Sequence, residues 1–253
     1  MGLPKIAVPE YSLKLPSDGK EVKYRPFLVK EEKLLLMAME TENEKEIMNA
    51  TKNVITSCVF GDIDVPNMPT FDVEYIFLWL RAKAKGEIID LKYTCPKCAA
   101  TIPVSFNIED IKVTKEEKHS SKVEITDELG VVLKYPNMSV QVQIDQFDEK
   151  ISDVEKIFQT VLLCIDYIYD KENMYSSKDH TEKEMYEFLE SLTDEQFQKL
   201  SVFFETMPKL QHKVTLECKG KVKVKTKDDT KKKEKACGYK EDIMLEGLHS
   251  FFA

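Results

Sequence analysis

The amino-acid sequence predicts an α+β fold, in which a helical, bundle-like portion accompanies antiparallel β-hairpins joined by a four-cysteine, zinc-ribbon-like knuckle. Several segments repeat apolar residues every three or four positions, which is typical of amphipathic helices. Other short segments alternate apolar and polar residues between turn residues, which is typical of hairpins. The two kinds of segment follow one another irregularly, so an α+β fold is favoured over a parallel α/β sheet. We expect residues 1–253 to form a single domain.

Three helices are predicted in the first third of the chain, over 30–40, 44–60 and 71–85. The second and third place their apolar side chains on one face. Thr70 is a suitable N-cap for the third helix, because its hydroxyl oxygen can accept a hydrogen bond from a free backbone N–H. Gly86 is expected to end that helix.

The middle of the chain mixes strand and helix patterns. Residues 139–145 alternate valine or isoleucine with glutamine, which predicts a strand, and residues 151–169 predict one long helix. Thr181 with Glu184 forms a capping box at the start of a shorter helix. A second capping box, Thr193 with Gln196, predicts another helix.

The last part of the chain is predicted to return to strands from residue 212. The final segment, 244–253, is expected to be a short helix whose leucine and phenylalanine side chains dock on the core. Phe251 and Phe252 are large and apolar, so leaving both in water would be unfavourable. The alternative to docking on this protein's own core is that they enter a partner protein.

Composition predicts a soluble, globular chain. It has 253 residues, of which 42% are hydrophobic and 32% charged, and a formal net charge of -8. This net charge argues against a surface built mainly for nucleic acid or an anionic membrane. No stretch approaches the roughly 18 apolar residues of a membrane helix, and the first residues lack the apolar run of a signal peptide. We therefore expect no membrane segment, a reducing compartment, and cysteines that are thiols or metal ligands.

A four-cysteine zinc site is predicted from two cysteine pairs. Cys95 and Cys98 form a Cys-Pro-Lys-Cys turn at the tip of a predicted hairpin. Zinc in structural sites takes four ligands in a tetrahedron, so two more are needed. Cys218 and Cys237 are the candidates, because both lie in the second strand-rich region. Such a site would be structural.

The predicted knuckle is formed by residues 86–108 and 212–241. Its second half is unusual, since eighteen residues separate its cysteines where a knuckle has two. We interpret them as an inserted two-stranded finger, because Val222 and Val224 alternate with lysines. The alternative is that the first pair is a turn without metal and that the second pair consists of unrelated thiols.

Other chemistry-bearing residues give no catalytic pattern. Cys58 and Cys164 fall on apolar helix faces and are expected to pack there as small hydrophobic groups. The histidines are expected at the surface, since none has metal-ligand spacing with another: His119, His180, His212 and His249. No phosphate-binding glycine loop and no nucleophile or metalloprotease motif occurs. A non-enzymatic protein is predicted.

Three segments carry a resemblance to a known family: KYRPFLVKEEKLLLMAME (23–40), FDVEYIFLWLRAKAKGE (71–87) and LEGLHSFFA (245–253). In this order they resemble the baseplate hub assembly proteins of T-even-like contractile-tailed bacteriophages. The resemblance implies a late viral protein, acting in the host cytoplasm during assembly, that builds or belongs to the central hub. It implies other hub proteins as partners, and either a place in the virion or a chaperone role.

The resemblance also implies paired cysteines in the middle and near the end of the chain, which Cys95, Cys98, Cys218 and Cys237 match. The long insertion between the last two departs from the family pattern.

The alternative function is a zinc-containing nucleic-acid-binding module that uses the lysine-rich finger, residues 219–235. This finger holds nine lysines and three acidic residues. It has no aromatic side chain that could stack on bases, which argues against nucleic acid as the partner.

Overall fold

A computed structural model describes residues 6–144, 151–225 and 232–247. Helices and antiparallel strands alternate along the described chain, which confirms the predicted α+β class. The α-helices are α1 (Val29–Glu40), α2 (Glu44–Cys58), α3 (Thr70–Lys85), α4 (Met138–Ile144), α5 (Asp153–Cys164), α6 (Glu182–Glu190) and α7 (Asp194–Thr206).

The strands of the described ranges pair in antiparallel sheets ordered β1-β2-β3, β10-β9-β8-β7, β14-β11-β6, β12-β13 and β4-β5. Their bounds are β1 Tyr11–Lys14, β2 Glu21–Tyr24, β3 Val59–Phe60, β4 Ile88–Thr94, β5 Thr101–Asn107, β6 Lys112–Thr114, β7 Lys122–Glu124, β8 Gly130–Leu133, β9 Ile165–Tyr169, β10 Met174–Ser176, β11 Lys209–Glu217, β12 Lys221–Lys225, β13 Lys232–Ala236 and β14 Lys240–Glu246.

The N-terminal core lies between the β1-β2-β3 sheet and helices α1, α2 and α3. Helix α2 begins where the Asn43 side chain accepts hydrogen bonds from the backbone N–H groups of Lys45 and Glu46. Its apolar face buries Val54 and Ile55 completely. Burial of this kind supplies most of the stability of a helix in a folded protein.

A second core lies between the β10-β9-β8-β7 sheet and helices α5, α6 and α7. Both predicted capping boxes are present. Thr181 and Glu184 exchange hydrogen bonds at the start of α6. Thr193 and Gln196 do the same at the start of α7. These local pairs fix where each helix begins, because they satisfy backbone N–H groups that have no partner within the helix.

A third core joins α3 to the two hairpins β4-β5 and β11-β14, and it contains Leu78, Ile89 and Leu216. Tyr75 and Trp79 on α3 pack against this core and also against the N-terminal core. Helix α3 therefore holds the hairpin region against the N-terminal part of the protein.

Residues 139–145 were expected to form a strand, and that prediction is wrong for 139–144, which belong to α4. The Asn137 side chain accepts a hydrogen bond from the backbone N–H of Val140, as a helix cap does. A short alternating segment cannot distinguish a strand from two helical turns when a capping residue precedes it.

The long helix predicted over 151–169 is also wrong in its last five residues. Helix α5 ends at Cys164, and β9 begins at the next residue. The residues of β9 are isoleucine, aspartate and tyrosine, and the β-branched and aromatic ones favour a strand. No glycine or proline marks the change. In the same way the helix predicted over 44–60 ends at Cys58, and β3 follows it.

Two further predictions about helices differ from the structure, namely the N-cap of α3 and a helix at the end of the sequence. Thr70 is the first residue of α3 and makes no side-chain cap, whereas Pro69 occupies the cap position. Residues 244–246 belong to strand β14 and not to a terminal helix, because β14 pairs with β11 along its length. Phe251 and Phe252, predicted to dock on the core, lie outside the described residues.

Candidate metal centre

The first cysteine pair lies at the tip of the β4-β5 hairpin. The last cross-strand pair is Thr94 with Thr101, and a tight turn closes the hairpin above it. The backbone N–H of Cys95 donates to the carbonyl of Ala100 at 2.9 Å, and the N–H of Ala99 donates to the carbonyl of Cys95 at 2.9 Å. Ala99 has a φ of 57°, a left-handed conformation that is uncommon for a residue with a Cβ.

The second pair lies at the tip of the β11-β14 hairpin and repeats this arrangement. The last cross-strand pair is Glu217 with Lys240. The N–H of Cys218 donates to the carbonyl of Tyr239 at 2.9 Å, as Cys95 does to Ala100 in the first turn. Gly238 has a φ of 62° and follows Cys237, as Ala99 follows Cys98.

The lysine-rich segment is inserted within this second turn, and its backbone pairing confirms the predicted two-stranded finger. Strands β12 and β13 pair antiparallel from Lys221 with Ala236 to Lys225 with Lys232. At their base the N–H of Cys237 donates to the carbonyl of Gly220 at 2.9 Å. Without β12, β13 and their connection, Gly220 would directly precede Cys237 and complete a Cys-Lys-Gly-Cys turn.

The two tips meet so that four sulfur atoms lie within 4.8 Å of one another. Two short sulfur–sulfur contacts each join a cysteine of the first turn to a cysteine of the second. The Cys95 Sγ is 3.6 Å from the Cys237 Sγ, and the Cys98 Sγ is 3.4 Å from the Cys218 Sγ. A tetrahedral zinc with bonds of about 2.3 Å would separate its sulfur ligands by about 3.8 Å. The side chains therefore fit a small tetrahedral ion if the two short contacts widen by a few tenths of an ångström and the wider ones, up to 4.8 Å, close by up to about 1 Å.

Gly220 supplies the space that the cluster needs. A Cβ at this position would lie 2.7 Å from the Ala100 Cβ and 2.9 Å from the Cys98 Sγ. The Gly220 N–H also donates to the Cys218 Sγ at 3.3 Å. Backbone N–H donors of this kind stabilise negative charge on sulfur, which is the form that binds metal.

Comparison with known proteins identifies the family of this chain. A family model described as "T4 bacteriophage base plate protein" matches residues 8–253. The chain belongs to this family. No match was found among curated proteins or among solved structures. The predicted resemblance to T4-like phage baseplate proteins is confirmed, and the match includes both cysteine turns and the inserted finger.

Side chains around the cluster hold the two tips of this baseplate protein together. The Lys97 Nζ lies 5.6 Å from the centre of the Tyr239 ring, which joins the first turn to the second. Away from the hairpin tips, the rings of Phe106 and His212 are 4.5 Å apart and join β5 to β11. Cys95 is buried and the other three cysteines are half-buried. The sulfur cluster is thus partly shielded from water.

The thiols of the cluster differ in acidity. Burial raises the pKa of Cys95, but hydrogen bonds from the backbone N–H groups of Lys97 and Cys98 and from the neighbouring thiols outweigh it and bring this pKa to about 7. Burial and hydrogen bonding with Cys95 and Cys98 raise the pKa of Cys237 to about 11. Without a metal, Cys95 is therefore more readily deprotonated than Cys237. A cation that replaces the thiol protons releases them to water, which makes binding weaker at low pH.

Cys58 and Cys164 are away from the cluster and fully buried, as predicted. Burial raises the pKa of the Cys58 thiol to about 11 and that of Cys164 to about 12. Both residues therefore stay protonated and act as packing groups. In the part of the chain that the structure describes, Cys95, Cys98, Cys218 and Cys237 are the set of metal-ligating side chains that comes together.

The prediction that the histidines lie at the surface is wrong for two of them. His212 is half-buried against Phe106. His119 is half-buried between the rings of Tyr135 and Phe203. His180 is exposed as predicted, and His249 lies outside the described residues. The sequence could not predict the half-buried positions of His119 and His212, because each depends on an aromatic ring from a distant segment.

The hydrogen bonds of His119 define its neutral form. The Thr206 hydroxyl donates to the carbonyl of Val202 at 2.8 Å, so its oxygen accepts from the Nδ1–H of His119 at 2.9 Å. The Nε2 of His119 then accepts from the hydroxyl of Tyr135 at 3.0 Å. Burial lowers the pKa of this imidazole below its ordinary value.

Proposed function

We propose that this baseplate protein is a non-enzymatic structural or assembly protein of the central hub, which acts through protein–protein contacts and is stabilised by one structural zinc. The observation that carries the zinc proposal is the convergence of four sulfurs from two hairpin tips within 4.8 Å. Family membership supports the baseplate role. The placement in the hub, with hub proteins as partners, rests on the resemblance of the three segments quoted above.

The proposed ligands are Cys95, Cys98, Cys218 and Cys237. Zinc bound to four thiolates has no open position for substrate, so it would supply cross-linking and no catalysis. The residues of this chain would close the β4-β5 and β11-β14 hairpins on each other at their tips. The apolar side chains of the third core already join these hairpins below the cluster.

Among the described residues the fully buried acidic side chains are Glu31 and Asp72, and both are engaged in structure, which supports a non-enzymatic role. Glu31 accepts from the backbone N–H of Leu28 at 2.8 Å and pairs with Arg25 at 2.9 Å. Asp72 accepts from the backbone N–H of Ser17 at 3.0 Å and also from its hydroxyl. These contacts anchor the starts of α1 and α3 to the N-terminal strands.

We also propose that residues 1–253 form one domain. Contacts made by side chains of α3 support this proposal. Tyr75 and Trp79 belong to two of the three cores. Phe71 of α3 packs against Tyr135 of the middle region at 5.1 Å between ring centres.

Three measurements test separate parts of this proposal. Elemental analysis of protein purified without added metal is expected to give one zinc per chain, and a value near zero would remove the zinc proposal. Affinity purification from infected cells is expected to recover baseplate hub proteins. Detection of the protein in purified virions would identify a permanent component, and its absence there would identify an assembly chaperone.

A second candidate is a nucleic-acid-binding module that uses the finger. The observation in its favour is that β12 carries lysines at alternate positions, namely Lys221, Lys223 and Lys225. Phosphate contacts by lysine weaken steeply as salt rises. Salt-dependent retardation of DNA in a gel that is lost when the finger is removed would favour this candidate over protein–protein contact.

A further inference from the structure

Helix α1 exposes an apolar face to solvent. Val29, Leu36 and Met37 are 81%, 50% and 56% exposed. These three are among the fourteen large apolar residues that are exposed within the described ranges, and the helical repeat places them on one face. The opposite side of the same helix buries Leu35 in the N-terminal core. Exposed apolar side chains grouped on one helix face mark a contact surface more often than scattered ones do.

Two opposite charges lie on the same face. Lys33 and Glu40 are exposed, and neither forms an ion pair with another described residue. They are seven positions apart, which is nearly two full helical turns, so they lie on almost one line along the helix. Leu36 and Met37 lie midway between them. We define the outer face of α1 as Val29, Lys33, Leu36, Met37 and Glu40.

The outer face of α1 is complementary to itself when two copies run antiparallel. A two-fold axis that passes between Leu36 and Met37 brings Lys33 of each copy opposite Glu40 of the other. The same axis packs Leu36 of each copy beside Met37 of the other. A parallel pair would place lysine against lysine and glutamate against glutamate, which is unfavourable.

We propose that the outer face of α1 is a docking site for a second copy of this chain, held antiparallel by Leu36 and Met37 and by two ion pairs between Lys33 and Glu40. Because a two-fold contact uses the same patch on both copies, each attractive contact occurs twice. This inference does not depend on the zinc site or on the hub assignment.

The size of the contact limits its strength. One face of a single helix of twelve residues buries less than the roughly 1,000 Å² of a stable interface. We therefore expect a dissociation constant of about 1 μM or weaker. Such a pair would form mainly where many copies are held close together, as in an assembling particle.

Sedimentation velocity of the full chain at low salt tests the proposal. The wild-type protein is expected to shift from monomer to dimer as its concentration rises. Lys33→Glu and Glu40→Lys each replace two attractions by two repulsions, and each is expected to weaken the dimer about fivefold to tenfold. The double variant that combines both substitutions exchanges the two charges, so opposite charges face each other again, and it is expected to restore the wild-type affinity.

Matched controls separate the contact from general effects. Leu36→Asp is expected to abolish the dimer, whereas Val202→Asp on α7, a position that is 44% exposed, is expected to leave it intact. Lys178→Glu, at an exposed position outside α1, controls for net charge. Each variant is first checked for an unchanged melting temperature. A wild-type protein that stays monomeric at its highest soluble concentration, or a double variant without recovery, would overturn the proposal.

Discussion

At the scale of single residues, the six cysteines of this chain divide into two classes by their surroundings. The four at the hairpin tips have other sulfurs or backbone N–H donors beside them. The other two have apolar neighbours and a raised thiol pKa. Sequence spacing predicted this division because paired cysteines at turns and single cysteines on apolar helix faces have different chemistry.

Serine substitutions distinguish the two classes. Cys98→Ser is expected to lower the zinc content from one per chain toward zero, because three thiolates and a hydroxyl hold zinc poorly. Cys164→Ser is expected to keep the zinc and to lower the free energy of unfolding by roughly 1–3 kcal/mol if the buried hydroxyl finds no partner. Elemental analysis and chemical denaturation measure the two effects. Equal zinc content in both variants would contradict the assignment.

His119 makes the stability of the protein depend on pH. Burial lowers its pKa in the folded state below the ordinary value of 6.5 that the unfolded chain retains. As pH falls through about 6.5 the unfolded state therefore takes up a proton first, and the free energy of unfolding decreases until the folded-state pKa is passed. Chemical denaturation at a series of pH values measures this slope.

His119→Gln is expected to remove part of that decrease, since it cannot titrate. The same change at exposed His180 serves as the control and is expected to leave the decrease due to His119 in place. A pH slope that is identical in His119→Gln and in the wild type would show that other groups cause it.

At the scale of secondary-structure elements, features that depend on neighbouring residues were predicted well. Features that depend on pairing with distant strands were not. The capping boxes at Thr181 and Thr193 correctly marked α6 and α7, because a cap acts within one turn. The change from α5 to β9 at Cys164 was missed, because it depends on pairing between β9 and the distant β8. Pairing of β6 with β11 has the same origin and left no local pattern.

The finger is expected to be dispensable for folding. Removal of residues 221–236 leaves Cys-Lys-Gly-Cys, and the hydrogen bond from Cys237 to Gly220 already closes the base of the finger. We expect one zinc per chain and a melting temperature within a few degrees of the wild type. As a control, removal of Gly220 in addition should disturb the metal site, since it shortens the turn. A deletion variant that fails to fold would show that β12 and β13 support the main sheet.

At the scale of the whole molecule, the convergence of the four cysteines could be predicted from the sequence, but the geometry of the cluster could not. Cys95 and Cys98 form a recognisable turn, and the need for four ligands pointed to Cys218 and Cys237. The matching left-handed residues Ala99 and Gly238 became apparent only in the structure.

Of the described helices, none is both long and apolar enough to cross a membrane.

Removal of zinc by a strong chelator is expected to loosen one region rather than the whole protein. Backbone amide exchange should accelerate in β4, β5, β11 and β14, because the metal would cross-link their ends. Exchange in α2, which belongs to the N-terminal core, should change little. Uniform acceleration throughout the protein would indicate that the metal stabilises all three cores together, and no change would exclude a structural metal.

The distance along the chain between the two cysteine turns has a consequence for synthesis on the ribosome. Cys95 and Cys98 emerge long before Cys218 and Cys237, and at roughly 5–20 residues per second the interval is about 6 to 30 seconds. During that time the first pair can hold a metal only incompletely. Loading of a four-thiolate site would thus occur only after Cys237 has been translated, so a chain that terminates before Cys237 would lack the cross-link.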